Sequence, residues 1–134
     1  MMEFRHVAAA AFTLMLAWPS HAAAVELTGA WATDSHDCNN VFVRRGQNIT
    51  FGQYPGIHGG GFIIEADRLR GKHATCKIKT RKEDGDRLNL IAECAGDIMY
   101  SNVQFVLKSV DENTLVRVFP GIDGIDVTYH RCRL

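Results

Sequence analysis

Four histidines lie beyond the first thirty residues, His36, His58, His73 and His130, and Ser35-His36-Asp37 sets the three residue types of a hydrolytic triad side by side. Adjacent residues do not form a triad, because its members are brought together by the fold from separate segments. The histidines sit in four different stretches, with no HxxxH spacing to place two on one face. A zinc site would need such spacing or a CxxC pair, and neither occurs. They read as single exposed side chains, and we expect no catalytic residue, metal or cofactor. A small hydrolase or isomerase is accordingly the least favoured function class, since it needs a convergent polar constellation.

The cysteines carry more information. There are four, Cys38, Cys76, Cys94 and Cys132. The chain opens with Arg5, then an almost unbroken apolar run from Val7 to Trp18, then Ser20-His21-Ala22 and Ala22-Ala23-Ala24. This is the pattern of a secretory signal peptide over residues 1–24, cleaved after Ala22 or Ala24. The run is too short to span a bilayer, which takes about 20 apolar residues. Export to the periplasm or beyond the cell is therefore expected, with residues 25–134 as one domain. An even cysteine count in an exported domain implies two disulfides.

Charge excludes one class. Lys and Arg together number 15, as do Asp and Glu. Nucleic-acid binders usually carry a strongly basic face, and a balanced chain does not suit that role. One stretch is locally basic: Arg68, Arg70, Lys72, His73, Lys77, Lys79, Arg81 and Lys82, with no acid among them. It would suit an acidic partner, but reads more simply as the solvated face of a long hairpin. If a protein partner docks, we expect Tyr54, His58, Arg70 and Lys72 to meet it.

The elements that must position these residues are short strands. Runs rich in Val, Ile, Phe and Thr fall near 28–33, 41–45, 47–52, 61–65, 69–80, 87–95, 99–109, 114–119 and 125–133. Gly, Asp and Asn break them. Such spacing implies an all-β fold, a single antiparallel up-and-down barrel of about eight or nine strands. In "CKIKTRKEDGDRLNLIAEC" the register is set by burial of one face. Pairing residues whose numbers sum to 170 puts Cys76 opposite Cys94, Ile78 opposite Ala92 and Thr80 opposite Leu90. It also puts Lys77 opposite Glu93, Lys79 opposite Ile91 and Arg81 opposite Asn89. Opposed Cα atoms about 4.5–5.5 Å apart suit a disulfide. Cys76–Cys94 follows, and Cys38–Cys132 by elimination and from closure of the barrel.

Two loops look alike, "YPGI" at 54–57 and "FPGI" at 119–122. Pro at i+1 and Gly at i+2 make a type II turn, so the likeness is turn chemistry used twice. Counting five turns from one to the other places them at opposite ends of the barrel.

The mature chain begins "AVELTGAW", with Gly29-x-Trp31 in the first strand. This resembles the G-x-W opening of the calycin barrels: lipocalins, avidins and the small bacterial metalloprotease inhibitors, to which the opening with Cys38 shortly after is most similar. The resemblance implies that Trp31 packs at the closed end under an arginine of the last strand. Ile125, Val127, Tyr129 and Arg131 share one face of that strand, so Arg131 is the match. Avidin-type sites wall biotin with several tryptophans, and the mature chain has Trp31 alone, so biotin is not expected. The chain from "GFIIEADRLRGKHATCKIKTR" to "VTYHRC" also resembles a family of small exported bacterial proteins of unknown function. The expected role is binding: of a protein partner, as an inhibitor-type barrel would, or alternatively of a small apolar ligand inside the barrel.

Overall fold

The computed structural model describes residues 26–53 and 60–134. Residues 1–25, where the signal peptide is expected, and the Tyr54–His58 stretch lie outside them. Strands β1 (Gly29–Ala32), β2 (Phe42–Arg45), β3 (Asn48–Phe51), β4 (Gly61–Glu65), β5 (Arg68–Arg70), β6 (Ala74–Asp84), β7 (Arg87–Gly96), β8 (Tyr100–Asp111), β9 (Thr114–Val118) and β10 (Val127–Arg131) account for most of the described chain. Eight form a closed antiparallel barrel in the order β1-β10-β9-β8-β7-β6-β5-β4. From β4 onward each strand pairs with the next, as an up-and-down meander does. Between β1 and β4 the chain leaves the barrel, makes a short helix α1 (Cys38–Val41) and the separate hairpin β2–β3, and returns.

Alternation builds two cores. Inside the barrel, Trp31, Phe62, Ile64, Leu69, Leu88, Leu90, Phe105, Leu107 and Leu115 pack together with Leu27. Outside it, Ala30, Ala32 and Ile63, on the opposite faces of β1 and β4, pack against Val41 and Phe42 of the excursion. Phe51 joins Phe42, ring centroids 5.4 Å apart. The Cys38–Cys132 disulfide, Cα atoms 5.5 Å apart, fastens this outer layer to the chain just past β10. The second disulfide, Cys76–Cys94, bridges β6 and β7 from inside the barrel. Both pairs are the expected ones.

One end of the barrel is closed. The Arg131 guanidinium lies over the Trp31 ring, 4.3 Å from its centroid. Its Nε donates to Glu112 O at 3.0 Å, Nη1 to Thr28 O at 2.6 Å and Nη2 to Glu26 O at 2.8 Å. Trp31 is 1% exposed, and its Nε1 donates to Leu27 O at 2.9 Å. Gly29 has φ +137°, and a Cβ there would stand 3.1 Å from Arg131 Nη1. The glycine of the G-x-W opening thus makes room for the arginine.

Two expectations need correction. The hairpin register holds from Cys76↔Cys94 to Ile78↔Ala92, then shifts: Thr80 pairs with Ile91, Arg81 with Leu90 and Lys82 with Asn89. A β-bulge at Lys79 adds one residue and a bend, as closing a long hairpin into a barrel requires. It also brings Lys79 Nζ to 3.1 Å from Glu93. The second correction concerns 69–80, read as one strand. It is two, β5 and β6, separated by a turn at Gly71–His73, where Gly71 N donates to Ala74 O. That extra turn makes the number of reversals from β4 to the 119–126 loop even. The loop therefore lies at the end where β4 begins, not at the opposite one. "FPGI" does make the expected type II turn: Gly121 has φ +83° and Ile122 N donates to Phe119 O at 3.1 Å.

Two outcomes follow. Trp31→Ala should cost about 3–5 kcal/mol in denaturant unfolding, as truncation of a large buried aromatic. Cys38→Ala with Cys132→Ala, opening a closure of 94 residues, should lower stability by about 4–5 kcal/mol in the chain-entropy account, read as a fall in denaturant midpoint.

Candidate functional site

Away from Arg131 the barrel is open. Gly61 at the start of β4, Gly71 just past β5, Ala74 at the start of β6 and Gly96 at the end of β7 line the mouth of a cavity of about 410 Å³. Gly61 has a second role, since a Cβ there would stand 2.7 Å from Phe42 Cζ in the outer layer. Its deeper walls are Phe62, Leu69, Val103, Phe105, Leu107 and Tyr129, with the Cys76–Cys94 disulfide and Ser101 between them. Phe62 and Tyr129 meet edge to face, centroids 4.7 Å apart. This size lies within the roughly 300–1,000 Å³ typical of small-molecule sites.

One charged side chain lines the cavity among the described residues, Arg117. Its Cζ is 4.7 Å from the Phe105 ring centroid and 4.6 Å from that of Phe119. Sequence reasoning passed over it. The signal was available in "TLVRVF": Leu115 is core, so Arg117, two residues on in the same strand, must share its inner face.

The rim is apolar too. The β7–β8 turn exposes Ile98 (93%), Met99 (67%) and Tyr100 (69%), and the 119–126 loop exposes Ile122 and Ile125. Both connections lie at the open end. Exposed apolar residues at the end where a cavity opens are surface that a binding event would cover.

Of the four residues expected to meet a partner, Arg70 and Lys72 are described. Tyr54 and His58 lie outside the described residues. Lys72 is exposed in the β5–β6 turn, at the mouth. Arg70 is committed to structure: its Nη2 donates to Ile49 O at 2.7 Å and to Glu65 Oε1 at 2.8 Å, holding the β2–β3 hairpin against the barrel. Elsewhere in the basic stretch Arg81 pairs with Glu83 and Lys79 with Glu93. His36 pairs with Asp34 in an exposed turn, N to O 3.1 Å. Among the described residues no three His, Cys, Asp or Glu side chains gather as a metal site would require, and no helix is long and apolar enough to cross a membrane.

Fold and site define a disulfide-stapled, closed eight-stranded antiparallel barrel with one sealed end and one apolar mouth. Set against known protein families, curated proteins and solved structures, the chain matches none.

At the rim Tyr100 donates a hydrogen bond to Glu93, which with Lys79 holds that carboxyl below the usual carboxylate range and pushes the Tyr100 hydroxyl up. A group whose folded pKa is depressed stabilises the fold above its unfolded value and loses that effect as pH falls. Glu93 should therefore titrate low in a carboxyl-carbon NMR titration. Tyr100→Phe should move it up, because the first of its two partners is gone.

Proposed function

We propose that this chain is an exported binding protein whose site is the open mouth of the barrel, and that it takes a small, largely apolar ligand there. The observation that carries the reading is the cavity of about 410 Å³ under an apolar wall. An unfilled interior is costly, since its lining loses the contacts that close packing would supply. An apolar ligand would restore those contacts. The opposite end supports the same assignment: Arg131 over Trp31 seals it, as in the calycin barrels that the Gly29-x-Trp31 opening resembles. Two disulfides suit an oxidising compartment, and the leader pattern of residues 1–24 directs the chain to the periplasm or outside. Its action would be binding, not catalysis.

A second reading has its own observation. Ile98, Met99, Tyr100, Ile122 and Ile125 form an exposed apolar rim, the kind of surface an inhibitor-type barrel would press on a protein partner. Lys72, exposed in the β5–β6 turn, would then complete the contact.

The test is native mass spectrometry of the protein purified from cells that export it, followed by solvent extraction. A small apolar molecule should accompany the wild type. It should be lost from Ser101→Trp, which puts an indole into the mouth, while circular dichroism stays unchanged. An empty wild-type cavity, together with a protein captured from the cell envelope and released by Ile98→Asp with Ile122→Asp, would replace this reading with the second.

A further inference from the structure

Several cations of the barrel are answered by hydrogen bonds or ion pairs, and others, such as Lys72, Lys82 and Arg87, are exposed on its outside or in its turns. Arg131 is met by three carbonyls. Arg70 is met by Glu65, Lys79 by Glu93, Arg81 by Glu83 and Lys108 by Asp86. Arg117 differs from all of these. It projects from the inner face of β9, across from the buried Leu107, and its guanidinium makes no hydrogen bond or ion pair with any described residue. Asp126, close by in the fold, is turned instead to the Phe119 backbone N–H, at 3.3 Å.

What Arg117 has is aromatic surface, the rings of Phe105 and Phe119. Such contacts engage the face of the guanidinium and leave its N–H groups free in the plane. An arginine held by its faces in an apolar wall presents a fork of donors with the spacing of a carboxylate. We propose that Arg117 binds the acidic head group of an amphipathic ligand whose apolar tail fills the cavity. This rests on the cavity being a ligand site, and it adds the ligand class: a medium-chain carboxylate. Tyr129, whose ring lines the same space, makes no hydrogen bond with its hydroxyl to a described residue and supplies a second donor for the same head.

Isothermal titration calorimetry separates the parts. Decanoate, 1-decanol and decylammonium share one tail and differ in the head. The wild type should bind decanoate about tenfold or more tighter than decanol, the gain of a charge-assisted hydrogen bond, and decylammonium weakest. Arg117→Met should bring decanoate to within about threefold of decanol, and decanol binding that persists in the variant reports that the cavity is intact. If Arg117→Met does not fold, Arg117→Gln serves, with the same expectation. Equal binding of decanoate and decanol by the wild type, or a preference that survives loss of Arg117, overturns the head-group role and leaves the apolar cavity standing. Failure of all three probes to bind the wild type removes the cavity reading and this inference with it.

Discussion

A cation on the inner face of a barrel strand is costly unless every donor it carries is met. Arg131 is such a cation, and the arrangement of one end of the molecule follows from how it is satisfied. Its donors reach carbonyls in two places far apart in sequence: the segment before β1, at Glu26 and Thr28, and the β8–β9 turn, at Glu112. Its face lies on Trp31. One side chain thus joins the first strand, the last strand and a turn between them, and the indole beneath it is the floor of the inner core. Among the described residues, the cavity lies toward the end of the barrel away from this floor.

The two layers divide the work between them. The outer layer, α1 and the β2–β3 hairpin, covers the back of β1 and β4 with Val41 and Phe42, so those strands are buried on both faces. That lets the inner face be spent on the seal at one end and on the cavity wall at the other. Arg70 and the Cys38–Cys132 bond hold the outer layer in place. A residue that looked like a partner contact in the sequence is, in three dimensions, a strut.

Much of this was legible in the residues, and the failures have physical causes. Strand positions and the Cys76–Cys94 pair could be read because alternation ties side-chain direction to sequence parity; Cys38–Cys132 followed by elimination and from closure, and the stacking of Arg131 on Trp31 from what the Gly29-x-Trp31 resemblance implied, with parity picking out the arginine. Parity breaks wherever a residue is inserted, and nothing in "IKTRK" marks Lys79 as the bulge; the need for one arises from closure, a property of the whole sheet. The turn at Gly71–His73 was hidden by the β-compatible residues on both sides of it, and missing that single reversal put the 119–126 loop at the wrong end. Arg117 was readable by the same parity that found Arg131, but no motif drew attention to it. The cavity could not be read at all, because its lining converges from many places in the chain, Phe62, Leu69, Cys76, Cys94, Phe105 and Tyr129 among them.

The excursion between β1 and β4 has a consequence for how the chain folds. β6, β7 and β8 are long neighbours joined by tight turns, and their pairing is local. Closure is the opposite: β1 must pair with β10, and the Arg131–Thr28 bond spans 103 residues. Contacts of such high order carry the largest loop-closure entropy and come late. Until they form, β1 and β9 each present a row of unpaired backbone donors and acceptors, the template on which strands of other chains can add. A chain cut short before Val127 would keep that state permanently, so the five residues of β10 protect the whole barrel from self-association.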